Sequence, residues 1–262
     1  MLDHVSYSAL KTWLVCPLKH KYAYIDQLPP AYTPEALAFG GAFHQAAAYI
    51  HRHLDEDDLT LDAVTAEFRN AWTARAEAGP EVRFSNGHDE DYCISLAERM
   101  LRAYLETLDP DQGFLAVEEE MTAMLVDHDT GEVLPVPVTG VPDGIIRRDG
   151  GAPVILEIKT TGRRPSGDRI PEDHRLQAAV YGYITREAGV AAGDKQLVEI
   201  RYVTKTREPE VVTRVLDISG SDYSRVFAYC REMLRAVEAG LAWPTPSHLC
   251  PCPYADYCRA WR

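Results

Sequence analysis

The chain is poor in positive charge. Its 27 Lys and Arg stand against 40 Asp and Glu, a formal net charge of −13 over 262 residues, with a pI near 5.1. This excludes a protein-wide basic field for nucleic acid, so any such binding must use a local groove. No apolar run approaches the roughly 20 residues of a membrane span. The opening residues, MLDHVSYSALKTW, lack the basic-then-apolar layout of a secretory leader, so a cytoplasmic protein with no membrane contact is expected. No internal repeat or low-complexity linker breaks the chain. Disulfides are not expected in that compartment. The six cysteines, Cys16, Cys93, Cys230, Cys250, Cys252 and Cys258, should then be reduced or metal-bound. What remains, 46% hydrophobic and 26% charged, is ordinary globular composition, enough for one large domain or two small ones.

Residues 1–112 read as mainly helical. SYSALKTWLV has Ser6 or Ser8 as its cap and stops at Cys16-Pro17. FGGAFHQAAAYIHRHL reads as a helix opening near Gly40-Gly41. LTLDAVTAEFRNAWTARAEAG runs from a Thr60 cap to Gly79. DEDYCISLAERMLRAYLETL places Ile94, Ala97, Leu101, Leu105 and Leu108 at helical spacing. From residue 113 the period changes. FLAVEEEMTAMLV and EVLPVPVTGV read as strands around a DHDTG turn, followed by VPDGII and PVILEIK. PEDHRLQAAVYGYITREAG reads as a helix, QLVEIRYVTK and EVVTRVLDI as strands, and SDYSRVFAYCREMLRAVEAG as a last helix capped by Ser221. Residues 241–262 read as an irregular, cysteine-rich tail. This order predicts an α/β or α+β fold, a mixed central sheet flanked by helices.

The stretch VTGVPDGIIRRDGGAPVILEIKTTG puts Asp143, Glu157 and Lys159 inside apolar, strand-like runs. With a hairpin loop centred on Gly150, Asp143 lies seven residues before the centre and Glu157 seven after. They then face each other with Cβ atoms roughly 4.5–5.5 Å apart. Lys159 shares the face of Glu157, while Val154, Leu156 and Ile158 point to the other. Two carboxylates that close repel one another. Mg²⁺ or Mn²⁺, which favour hard oxygen ligands, would compensate them and support phosphoryl chemistry, with Lys159 neutralising developing charge. A surface hairpin with solvated acids and an ordinary ion pair fits the same residues. Glu118, Glu119 and Glu120 precede the hairpin; alternation puts Glu118 and Glu120 on one face, either near the ion or on a solvated edge strand.

Pro142-Asp143 followed by Glu157-Ile158-Lys159 resembles the signature of the PD-(D/E)XK nuclease superfamily. GGAFH, with His44 on a helix, and Gln177 with Tyr181 at i, i+4 resemble elements of its RecB-like branch. So does the opening SALKTWLVCPLKHKYAY. The resemblance runs from about residue 6 to 258. It implies a restriction-endonuclease-like fold, with residues 113–240 as the catalytic core behind a helical 1–112 part. It also implies a metal held by His44, Asp143, Glu157 and the carbonyl of Ile158, Lys159 as the catalytic lysine, and Gln177 and Tyr181 beside the substrate strand.

Cys250, Cys252 and Cys258 crowd the C-terminus while Cys16 stands near the N-terminus. Four thiolates suit a [4Fe–4S] cluster or a tetrahedral zinc. The one-plus-three partition resembles iron–sulfur nucleases of the AddB and CRISPR-associated kind. In those the cluster fastens the tail, here 241–262, to the first helix, closing a very long loop. The usual C-x-x-C step is shortened here to C-x-C at Cys250 and Cys252, with His248 a substitute ligand nearby. Cys93 and Cys230 fall in amphipathic helices and read as packing residues.

Local basic clusters are Lys19-His20-Lys21, Arg147-Arg148, and Arg163, Arg164 and Arg169. Each alone is a solvated loop; around the motif they suit phosphate contact. Tyr22, Tyr24, Tyr181 and Tyr183 could stack on unpaired bases. The expected function is a metal-dependent DNA nuclease acting on single strands or ends in recombination, repair or spacer processing. The rivals are a DNA-binding module serving a helicase or integrase partner, and a zinc-stabilised structural protein.

Overall fold

The computed structural model describes residues 2–56, 59–109, 111–147, 151–190, 196–245 and 252–261. After β1 (Val5–Ser6), Ser6 rather than Ser8 caps α1 (Tyr7–Val15), accepting from the Ala9 N–H at 3.2 Å. Pro17 disfavours helical backbone in the residue before it, and Cys16 is extended at φ −159°. The chain restarts as α2 (Pro17–His20) and passes into a π-helical turn, Lys21–Ile25.

The next helix, α3 (Glu35–Arg52), begins five residues earlier than the glycine pair suggests. Pro34 is extended and supplies the entry, and Glu35 is an acid favourable to the positive end of the helix. Gly41 is therefore interior. A Cβ there would meet the Arg75 guanidinium of α4 (Leu61–Ala78), the flexible end of a long side chain that would have to shift. Thr60 caps α4 and Asp89 caps α5 (Glu90–Leu105). Just before α3, β2 (Thr33–Pro34) pairs in parallel with β3 (Val82–Arg83), which follows α4.

The five-stranded sheet has the order β10-β9-β8-β7-β4. Its strands are β4 (Gly113–Ala116), β7 (Gly144–Arg147), β8 (Val154–Thr161), β9 (Gln196–Thr204) and β10 (Val211–Ile218). Only β8 and β9 pair in parallel, and α6 (Glu172–Glu187) is the crossover between them. A second sheet, β1-β6-β5, uses β5 (Met121–Val126) and β6 (Val133–Gly140). The expected strand FLAVEEEMTAMLV is thus two strands in two sheets. They are parted at a bend where Glu118 takes a left-handed φ of 48°.

Both faces of the large sheet are covered. On one, Phe39, Phe43, Phe68, Trp72, Met100 and Tyr104 of α3–α5 pack with Ile158 and Val203. On the other, α6 and α7 (Gly220–Glu238) pack with Ile155, Val198 and Ile200 and with the small sheet. Ser219, not Ser221, caps α7, in a capping box with Asp222. The tail is not wholly irregular: α8 (Ala255–Ala260) forms within it. The architecture is the mixed α/β fold expected, compatible with the restriction-endonuclease-like class.

Candidate active site

The β7–β8 ladder pairs Gly144 with Leu156, Ile145 with Ile155 and Ile146 with Val154. This is the register of a loop centred on Gly150, and one further step sets Asp143 opposite Glu157. Asp143 Oδ2 accepts from the Ile158 N–H at 2.6 Å, and its Oδ1 lies 2.5 Å from His44 Nδ1 of α3. Glu157 and Lys159 face α6. Lys159 Nζ sits 2.7 Å from Glu157 Oε1 and donates to Gln177 Oε1 at 2.5 Å. The Gln177 amide donates to Glu157 Oε1 (2.8 Å) and to the Tyr181 hydroxyl (3.1 Å). Asp143, Glu157, Gln177 and Tyr181 are all buried. A solvated surface hairpin is therefore not what forms.

The charges are poised. Burial and the neighbouring Asp143 carboxylate push Glu157 up to about 7. Burial also disfavours Asp143's charge, yet the His44 ring and the Ile158 N–H hold its carboxyl below the usual range. Burial works against a charged His44, but Asp143 outweighs it and lifts the ring to about 9.

Glu118 is the residue the strand pattern misjudged. Alternation assumes a continuous strand, whereas the left-handed bend turns Glu118 inward and leaves Glu119 and Glu120 exposed. Gln45, next to His44, donates to Glu118 Oε2 at 3.0 Å. Ligand atoms of His44, Glu118 and Asp143 lie within 4.8 Å of one another. Burial, then Asp143, raises the Glu118 pKa. Three carboxylates against one lysine and one histidine are an excess of negative charge in a partly dry site. Oxygen donors with one imidazole are a set that Mg²⁺ or Mn²⁺ accepts, so the residues present fit such an ion.

Cys16, Cys252 and Cys258, from opposite ends of the chain, pack on one small cluster of Leu18, Tyr22 and Tyr254. Cys250 and His248 lie outside the described residues, as does Arg148. Cys93 and Cys230 are fully buried in the two main cores, as packing residues should be. Two expectations fail. Tyr22, Tyr181 and Tyr183 are buried and cannot offer open faces to bases, and Tyr183 donates instead to the Met124 carbonyl. His20 is buried and Lys21 is ion-paired with Asp26, so that basic run does not present three free charges. Among the described residues no helix is long and apolar enough to cross a membrane.

Residues 4–259 match the model of the PD-(D/E)XK nuclease superfamily. A crystal structure from Eubacterium rectale, of a protein provisionally named as an exonuclease, is similar with a TM-score of 0.55 at 15% identity, covering 99% of this chain and 88% of that one. The structure of SSO0001 gives a TM-score of 0.41 at 15% identity, over 97% of this chain and 95% of that one. LHK-Exo in complex with dAMP gives 0.34 at 11% identity, over 76% and 92%. No curated protein matches the chain by sequence.

Proposed function

Because the chain belongs to the PD-(D/E)XK nuclease superfamily, we propose that it is a divalent-metal-dependent deoxyribonuclease, an exonuclease on single strands or DNA ends. The observation that carries this reading is the constellation of buried Asp143 and Glu157 with half-buried Lys159, one Gln177 amide holding both Glu157 and Lys159. His44, Asp143, Glu157 and the Ile158 carbonyl would hold the ion, with Glu118 beside His44 and Asp143. A bound Mg²⁺ or Mn²⁺ supplies Lewis-acid activation of water and neutralises charge on the phosphoryl group. Lys159, its ammonium fixed by Gln177 and Glu157, stabilises negative charge growing on the phosphate in the transition state. Tyr181, accepting the second amide hydrogen of Gln177, fixes which way that amide faces. Low local polarity strengthens each of these interactions.

End-labelled single-stranded DNA with Mg²⁺ or Mn²⁺ tests the reading. Wild type should cleave it, and Lys159→Ala should bind it without cleaving. A wild-type protein inert on single and double strands, or a Lys159→Ala variant as active as wild type, would overturn it.

We further propose that Cys16, Cys250, Cys252 and Cys258 hold a [4Fe–4S] cluster of structural role. It is supported by the convergence of three of these thiols on the Tyr22–Tyr254 cluster. Thiolates also suit zinc. Protein prepared without oxygen should be brown, with iron and sulfide in equal amounts. A colourless preparation holding one zinc per chain would refute the cluster.

A further inference from the structure

The α6 face that serves the site continues past it. His174, Gln177 and Tyr181 fall at i, i+3 and i+7 on one side of the helix. On β8 the facing residues Glu157, Lys159 and Thr161 advance two positions at a time, each step about 6.6 Å. Gln177 meets Lys159, and one step on, Thr161 and His174 line a pocket of about 500 Å³. Tyr202, the β9 register partner of Lys159, forms part of its wall and its hydroxyl lies 2.9 Å from His174 Nδ1.

The rest of the lining is basic. Arg163, Arg164 and Arg169 border the pocket with Ser166, and none of the described residues lining it is acidic. In a chain of net charge −13 that is a marked local reversal. Arg164 is paired with Glu210 at 2.8 Å across an exposed surface, a bond of little strength. Among the described residues neither Arg163 nor Arg169 has an ion-pair partner. Of the acids in the first α6 turn, Glu172 pairs with Arg225 and Asp173 with Lys11, the Asp173 carboxylate also lying 3.9 Å from His174 Nε2.

We propose that this pocket receives the phosphodiester group next to the scissile one, so that a single nucleic-acid strand runs along β8 from the Glu157–Lys159 site to the arginines. The inference rests on the nuclease reading of the site, and it names the strand's phosphates, not its bases, as what the pocket recognises. Serine, threonine and histidine around arginines are phosphate-binding chemistry, sequence-independent and salt-sensitive.

The test is binding of a labelled single-stranded oligodeoxynucleotide in EDTA across a salt series, with no cleavage possible. Each phosphate contact on a single strand contributes about 0.7 to the slope of log affinity against log salt. Arg163→Ala with Arg169→Ala should flatten the slope by about 0.7, the worth of the one phosphate that the pocket holds. Arg231→Ala with Arg235→Ala removes the same charge from α7, where both arginines reach Glu132 and Glu232, and should leave the slope at the wild-type value. An unchanged slope in the first variant, or equal flattening in both, overturns the pocket. Neither result touches the nuclease reading, which stands or falls on metal-dependent cleavage and its loss in Lys159→Ala.

Discussion

Strands β8 and β9 lie side by side and carry nearly the same tripeptide, Glu157-Ile158-Lys159 on one and Glu199-Ile200-Arg201 on the other. The parallel register pairs Glu157 with Ile200 and Ile158 with Arg201, so the two patterns are offset by one residue and face opposite sides of the sheet. The β9 pair is balanced in charge. Arg201 donates to Glu199 (2.7 Å), Gln112 (2.7 Å) and the Tyr104 hydroxyl (3.3 Å), and His51 meets that hydroxyl at 2.8 Å. One acid balances one guanidinium, and its donors are spread over three acceptors. The β8 pair is open: Asp143 and Glu118 join Glu157, and Lys159 alone cannot balance them. Two histidines seven residues apart on α3 register the difference. Burial pushes His51 down to about 3, whereas Asp143 outweighs burial at His44 and lifts it to about 9. An acid–x–base strand pattern therefore marks a functional site only where the charge is left unbalanced.

The sharpest test of that contrast removes the two cations in turn. Lys159→Ala should lower cleavage by about 10²–10³-fold or more while the unfolding midpoint stays near wild type. Arg201→Ala takes a buried cation from Glu199 and a donor from both Gln112 and the Tyr104 hydroxyl, and should cost about 3–5 kcal/mol of stability. Steady-state cleavage and urea denaturation, run on both variants, check it. A stable but inactive Arg201→Ala, or an unstable Lys159→Ala, would reverse the assignment of the two strands.

Much of the β8 half of the comparison was legible in the sequence. The hairpin centre at Gly150 fixed the register that sets Asp143 toward Glu157, because side-chain period and loop position leave one solution. Thr60 and Gly79 likewise bound α4 as their cap chemistry requires. Other features were less accessible. The start of α3 was signalled by Pro34-Glu35, but the flexible-looking Gly40-Gly41 pair masked it, and Gly41 lies inside the helix against the Arg75 head group, a neighbour far away in sequence. Ser219 and Asp222 spell a capping box that Ser221 obscured. Glu118's inward turn needs a left-handed φ in a non-glycine residue, which no local pattern announces. Tyrosine is ambiguous by nature, since its ring suits a core as well as a base, and three of the four candidates went to the core.

A smaller effect is expected from Gln177→Ala, which removes the amide that bridges Glu157 and Lys159. In the β9 network the amide, Gln112, accepts from Arg201, but among the described residues its own Nε2 finds no partner and does not bridge to the acid. Loss of Gln177 should lower kcat about 10–100-fold with KM little changed, the effect expected if the Glu157 carboxylate it orients is a metal ligand. A rise in KM at constant kcat would instead make Gln177 a substrate contact and weaken the parallel between the two strands.

The smallest effects come from the two tyrosine hydroxyls, one in each network. Tyr104→Phe takes the acceptor from a buried Arg201 N–H and the partner from His51 Nε2, so two buried polar groups are left unmet. It should cost about 1–3 kcal/mol. Tyr181→Phe deprives only the Gln177 amide, which keeps its bond to Glu157. It should cost about 0.5–1.5 kcal/mol, the net worth of one ordinary hydrogen bond. Urea midpoints at unchanged m-values measure both. The order matters more than the size, because the Tyr104 hydroxyl serves two buried partners and the Tyr181 hydroxyl only one. A larger loss in Tyr181→Phe would mean that the Gln177 amide depends on its hydroxyl more than Arg201 and His51 depend on theirs, and that Tyr181 does more than set the direction of that amide.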